Sequence, residues 1–451
     1  MAIPNGRFEL NTESGKMDEQ QLDVAVGRPT FEATPRRVSL HSGLAEWLES
    51  LTEVAATPRS MLRNAIAVVL GEGTDRLTRS MELAFCAEPI GIEVLRAKLT
   101  KWLSIPPEDA DLIDFCLAVY KSHELPGDPL WGIVIDASGG GKTEILRAFR
   151  SLKDAYFLSK LTEKTLVSGY RDPKNGDKDP SLLPELNEKV LIIKDLAPIL
   201  AMRRESRSAI IADLRDAYDG FTDQGRGNVG KVAYESRFSL LTAATLAIDR
   251  GDAVDQELGE RFIKFRCHGD ANRNKIRKAI SNIGSDNVMR IEIDKAISSF
   301  LCSLPGIAET PIPEPLQEQL AKLSDFTAKA RSHVARNRNG DLQYLPRPEV
   351  GTRLGKELGK LLLALAAVRG RTEPNKEDFA TVARVAEDCL PPNRSAVLKA
   401  LRIKGVMTLN GVEEATGLPH KTADRVLDDL RVLGVVELPN PYQWSLANEW
   451  K

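Results

Sequence analysis

Long hydrophobic runs are missing from this sequence. No stretch approaches the ~18 apolar residues that a membrane-spanning helix needs, so no membrane partner is expected. The first residues lack the basic segment and apolar core of a secretory signal, and a cytoplasmic location is expected. Cysteine is scarce and scattered, at positions 86, 116, 267, 302 and 389, with no C-x-x-C pair. The five histidines do not gather beside these cysteines. Neither a disulfide framework nor a structural zinc site is expected from that pattern. Charge of one sign is lacking too. With a net charge of −2, no global field draws the chain to nucleic acid or anionic lipid, and any such contact must be local.

What is present is an ordinary globular balance, 42% hydrophobic and 28% charged, over 451 residues. That length suits roughly two to four domains. Residues 1–37 are polar and aperiodic and are read as a flexible arm. Between 38 and 123 apolar residues recur at helical spacing, as in Leu44, Trp47, Leu48 and Leu51. Leu112, Ile113, Phe115, Cys116 and Val119 repeat the pattern, and a helical N-terminal domain is expected. From 124 to 268 the pattern changes. Short continuous apolar runs at 131–135, 189–193, 239–245 and 262–266 alternate with helical stretches, notably 204–218. Such runs argue for an α/β core in which a parallel sheet is covered on both faces. Residues 269–340 read as a basic helical connector, since 261–338 holds 14 lysines and arginines against eight acids. Residues 341–394 read as a helical unit with Leu354, Leu358, Leu361, Leu362 and Leu365 on one face, and 395–451 as a last compact unit.

One motif carries chemistry. Ser138, Gly139, Gly140, Gly141, Lys142 and Thr143 follow a strand and open a helix expected to run to about Leu152. Glycines let backbone N–H groups turn inward around phosphate oxygens, and the helix start adds a positive dipole end. Lys142 is expected at the β- and γ-phosphates of ATP and Thr143 on Mg²⁺, with Glu144 beside them in the binding segment. The full pattern has glycine at the position held here by Asp136, a residue that tolerates a left-handed turn. A P-loop also needs an acid at the end of a neighbouring strand. Asp195 is the candidate, and its register is open. Either it is the metal-binding aspartate, followed by Leu196 where a catalytic glutamate belongs, or it takes the glutamate's slot and Lys194 the aspartate's. The first arrangement makes hydrolysis slow, and the second leaves the metal to Thr143 and water.

Together these segments resemble AAA+ ATPases: a P-loop core with a parallel sheet, a helical lid, an N-terminal helical domain and a C-terminal winged helix. The resemblance implies that Thr245, ending the third of the four runs, is the polar sensor that orients the lytic water. It implies that Arg261, in Leu258-Gly259-Glu260-Arg261-Phe262, is an arginine finger acting on a neighbouring subunit, much as in minichromosome-maintenance helicases. Arg353, opening a helix after Pro348-Glu349-Val350-Gly351-Thr352, would be the second arginine sensor of the lid. Residues 120–395 also resemble a poorly characterised group of bacterial and phage ATP-binding proteins. The shared stretches include Gly127-Asp128-Pro129-Leu130-Trp131, Gly141-Lys142-Thr143-Glu144, Ile193-Lys194-Asp195 and Tyr218-Asp219-Gly220.

Two segments suit nucleic acid. The glycine-rich stretch 219–237 lies where ring helicases carry pore hairpins, and Arg226 and Lys231 would track phosphates there. The C-terminal unit reads as three helices and a hairpin wing, with Lys421, Thr422 and Arg425 on the recognition helix. Against this, 395–451 holds seven basic and seven acidic residues, and Asp424, Asp428 and Asp429 share that helix. Protein docking therefore remains the alternative role. The functional expectation is an ATP- and Mg²⁺-dependent, helicase-like motor working as a homo-oligomeric ring, a hexamer, on DNA. A slow ATP switch on a winged-helix regulator and a non-hydrolysing ATP-binding scaffold are the competing readings.

Overall fold

The computed structural model describes residues 89–168, 179–226, 230–250, 261–268, 273–307 and 310–450. The arm expected at 1–37 and the helices expected between 38 and 88 lie outside them.

The chain enters through Ile92–Trp102 (α1) and Leu112–Lys121 (α2). Every residue of α2 is buried, as befits a helix apolar around most of its circumference. Trp131–Ile135 (β1) and Lys142–Arg147 (α3) follow. The helix after the glycines is shorter than expected. After Arg147 it tightens into turns, with Phe149 N–H bonded to the Leu146 carbonyl and Leu152 N–H to that of Phe149. Next come Ala155–Leu158 (β2), Leu183–Leu186 (α4), Val190–Ile193 (β3), Ala197–Leu200 (α5) and Arg204–Tyr218 (α6). Phe221–Arg226 (β4) and Gly230–Glu235 (β5) pair as an antiparallel hairpin. Ser239–Ala244 (β6) and Ile263–Arg266 (β7) complete the strands of this part.

Five strands form one parallel sheet in the order β2-β3-β6-β1-β7. Because side chains alternate across a strand, β1 feeds two cores. Val134 joins α2 and α3 on one face, while Trp131, Ile133 and Ile135 join α4 and α6 on the other. Gly132 is required on the α2 face: a Cβ there would come within 2.6 Å of Val119 Cγ2. Strand β2 escaped the sequence reading. It is a four-residue edge strand, only half-buried, and its apolar run Ala155-Tyr156-Phe157-Leu158 is too short to tell a strand from a helix segment.

The helices after the sheet are Arg273–Ser281 (α7), Asp286–Ser303 (α8), Glu314–Arg331 (α9), Thr352–Val368 (α10) and Lys376–Asp388 (α11). Residues of α1, α2, α8, α10 and α11 share a single core with β1 and β7. The boundaries expected near 123 and 340 therefore do not separate independent cores. A parallel sheet buries both faces, and here α2 supplies one of the covers with α10 packed against it.

The C-terminal unit holds Pro392–Lys404 (α12), Met407–Thr408 (β8), Leu409–Thr416 (α13), His420–Val432 (α14), Val436–Asn440 (β9) and Gln443–Leu446 (β10). Its sheet runs β8-β10-β9, antiparallel, over a core of its own that also takes in Ala330 and Val334. Three helices and the β9–β10 hairpin stand where the sequence placed them, and β8 is additional.

Candidate functional site

Backbone bonds bring four chain segments to one edge of the main sheet. Asp136 N–H donates to the Ala244 carbonyl (3.3 Å), Leu196 N–H to that of Ala243 (2.9 Å), and Cys267 N–H to that of Ile135 (2.8 Å). Asp136 opens the glycine loop, Thr245 directly follows β6, and Asp195 lies just past β3. All three mark C-terminal ends of parallel strands, the edge at which open α/β sheets bind ligands.

In the loop, Ala137, Ser138 and Gly139 are exposed, while Gly140, Gly141, Lys142 and Thr143 are half-buried. Gly139 (φ 80°) and Gly141 (φ 92°) adopt the left-handed conformation. Asp136 does not, so the tolerance invoked for an aspartate there is not what preserves the loop. Lys142 Nζ donates to the carbonyls of Asp136 and Ala137, both at 2.7 Å. Burial lowers its pKa, and the neighbouring Asp136 and Asp195 pull it back up. The ammonium thus rests on the neck of its own loop, able to turn outward to an anion. The Glu144 carboxylate accepts from Arg290 of α8 at 3.0 and 3.1 Å, so its side chain is committed to that helix.

Asp195 is half-buried, and its Oδ1 accepts the N–H of Ala197 (2.8 Å), the first residue of α5. It is not on the strand next to the loop, because β6 with Thr245 lies between β3 and β1. Leu196, next in the chain, is buried and brings no second acid. Among the described residues no group of three or more His, Cys, Asp or Glu could hold a metal ion.

The two arginines lie elsewhere. Arg261 precedes β7 at the opposite, N-terminal edge of the sheet, roughly 17 Å along the strands from the loop at ~3.3 Å per residue. It is buried, 7% exposed, pairs with Asp219 (3.0 Å) and lies over the Tyr218 ring (5.4 Å). Arg353 lines a cavity of about 590 Å³ with Asp128, Tyr218, Asp219, Glu349 and Lys356. The two arginines thus share the surroundings of Tyr218 and Asp219, away from the glycine loop. The sequence predicted each singly and gave no signal that they would meet.

Glu357 also reaches this corner. Its Oε1 accepts the Tyr218 hydroxyl (2.6 Å) and its Oε2 is buried without a partner. Burial pushes its carboxyl up to about 7 and raises the Tyr218 hydroxyl as well.

Of the nucleic-acid candidates, Arg226 ends β4 and Lys231 lies in β5, with Gly225 paired to Lys231 across the hairpin. On α14, Lys421 and Arg425 are exposed and Thr422 is half-buried. The acids on that helix are less available than their number suggests. Arg336 pairs with Asp428 and Asp429, both at 2.7 Å, and Arg394 reaches Asp429 at 3.3 Å. Asp424 alone of the three stays exposed.

No family model matches this chain, and no curated protein matches its sequence.

Proposed function

We propose that the chain is a P-loop ATPase of the AAA+ kind that works as a homo-oligomeric ring, a hexamer, and moves on DNA. The observation that carries this reading is the C-terminal edge of the main sheet. There Lys142 rests on the loop carbonyls, with Thr245 and Asp195 at the ends of the next two strands. ATP with Mg²⁺ fits these residues: glycine N–H groups 139–141, that of Gly140 once it leaves the Ala137 carbonyl (3.2 Å), and Lys142 would hold the phosphates, and Thr143 and Asp195 the ion. Such an ion takes most of its ligands from phosphate and water, so it needs no cluster of protein acids. ATP supplies the phosphoanhydride that is cleaved. The chain's own part is to orient the phosphates, to aim a water through Thr245 and Asp195, and to neutralise charge.

The arginines support the ring. Arg261 and Arg353 lie at the far edge of the sheet, too distant for their own loop, and in a ring either would serve the nucleotide of the next subunit. The C-terminal unit is read as a winged helix offering Lys421, Thr422 and Arg425 to duplex DNA, and the β4–β5 hairpin as a carrier of Arg226 and Lys231 toward a strand. Turnover of ATP with and without single-stranded and duplex DNA, with mass measured in ATP, tests the reading. DNA-stimulated turnover by an oligomer is expected, and a monomer indifferent to DNA defeats it.

A slower, switch-like ATPase is the second reading. Buried Leu196 follows Asp195, and one oxygen of Asp195 is occupied by the Ala197 N–H. Slow turnover with ATP-dependent DNA binding would favour it.

A further inference from the structure

Asp136 holds the place of the first glycine of the loop, and it is buried, 5% exposed. A buried carboxylate is costly unless charge and hydrogen bonds satisfy it. Its Oδ1 accepts the Ala137 N–H at 2.7 Å, and its Oδ2 lies 3.5 Å from Lys275 Nζ. The same Oδ2 rests against Gly140, where an added Cβ would come within 1.6 Å of it. The carboxylate therefore fills the volume that a side chain at 140 would take. Aspartate stands at the first position of the motif and glycine at the fifth, and the aspartate occupies the space that the glycine leaves open. Its own carbonyl meanwhile accepts Lys142 (2.7 Å). One residue thus touches the start, the middle and the lysine of the loop.

A triphosphate bound there would bring several negative charges close to this carboxylate, and like charges at short range oppose one another. Lys275 offsets that opposition. It extends from α7, a helix with no buried residue, whose other ties are polar. Lys278 bonds the carbonyls of Thr100 and Leu103, and Asn282 that of Trp102. We propose that Lys275 is a positioning residue of the nucleotide site: its pairing with Asp136 keeps that carboxylate against Gly140 and lets an aspartate stand in a phosphate-binding loop. The inference rests on reading the loop as a nucleotide site.

The test uses the full chain with Lys275→Met, Lys275→Arg, Asp136→Asn and the double variant Asp136→Asn/Lys275→Met. Titration with ATP and Mg²⁺ should show Lys275→Met weakening binding at least ~10-fold, with Lys275→Arg near wild type. The double variant should bind like Asp136→Asn alone, because without the Asp136 carboxylate the proposed pairing is already gone. Wild-type affinity in Lys275→Met overturns the proposal. So does a loss that persists in the double variant, which would place Lys275 on the phosphates themselves. Thermal unfolding without nucleotide is the second measurement. Lys275→Met should lower the midpoint only where Asp136 is present, and additive effects of the two changes overturn the pairing. If the wild-type protein binds no ATP, the reading of the loop falls, and the unfolding cycle still decides the Asp136–Lys275 coupling.

Discussion

One nitrogen of Arg261, Nη2, donates to both carboxylate oxygens of Asp219, at 3.2 and 3.0 Å. The guanidinium also lies over the Tyr218 ring, and its Nε is buried without a partner. A hydrogen-bonded arginine of this kind is held, yet incompletely satisfied, and Asp219 itself is 57% exposed at the side chain. To meet a phosphate across a subunit interface, the guanidinium must exchange Asp219 for the incoming anion.

That exchange yields the first expectation. Arg261→Ala should leave ATP affinity nearly intact and remove most turnover, since such fingers are worth roughly 10³–10⁵ in rate. Mixing it with Lys142→Ala protein should restore part of the activity, because some interfaces then join an intact loop to an intact arginine. Two inactive variants that stay inactive in demonstrably mixed rings would falsify action in trans.

Lys142→Ala should abolish ATP binding while the protein stays folded. Its ammonium bonds only loop carbonyls among the hydrogen bonds observed, so its loss leaves the cores untouched. Circular dichroism checks the fold and calorimetric titration the binding. Unchanged affinity would remove the phosphate-binding assignment.

Asp195→Asn should slow hydrolysis by roughly 10²-fold or more, a size typical for a group acting on the reacting charges, with ATP binding largely kept. The amide oxygen can still accept the Ala197 N–H, so the start of α5 keeps that bond. Single-turnover kinetics measure the effect. Unaltered rates would move attention to another acid.

Glu357 ties stability to pH. Burial, opposed by Arg331, the Tyr218 hydrogen bond and Arg353, carries it from the ordinary 4.5 up to about 7. A carboxyl whose pKa is raised by folding stabilises the fold fully below about pH 4.5 and loses that contribution as pH rises through 7. Glu357→Gln should therefore raise the unfolding midpoint at pH 8, by up to about 3 kcal/mol in stability, and the gain should vanish near pH 5. An equal shift at both pH values would show that the carboxyl is not the cause.

Replacing Lys421 and Arg425 by alanine should weaken duplex binding about evenly across sequences and reduce its salt dependence by one to two phosphate contacts, roughly a unit of slope per contact. Basal ATP turnover should not change. Both residues are exposed on α14, so stability is not at stake. Undiminished binding would favour protein docking for this unit.

The sequence revealed most where one local pattern dictated the outcome. Strands β1, β3 and β6 announced themselves as largely apolar runs and β7 by Phe262, Ile263 and Phe265, and the glycine loop by its composition. The C-terminal helices were legible because α14 buries Ala423, Val426, Leu427 and Leu430 at helical spacing. What stayed hidden was pairing across distance. Asp136 and Lys275 are 139 positions apart, and Arg336 with Asp429 are 93 apart. A charge count over one helix sees Asp428 and Asp429 as free acids, because only Arg431 pairs with Asp428 from within it, while Arg336, and Arg394 of α12, reach them from outside. The order of the strands was likewise invisible, since insertion of β6 between β1 and β3 depends on which edges meet.

That insertion fixes a distance. Neighbouring strands stand ~4.8 Å apart, so one strand of separation would set the acid after β3 almost against the loop neck. Two strands set it about 10 Å away across the sheet, wide enough for a phosphate group, an ion and a water in line. Because each strand end is tied to the next by main-chain bonds, this gap behaves as a calibrated gauge. Its width is set by the backbone, and side-chain substitution along the edge can change what stands in the gap without changing how much fits.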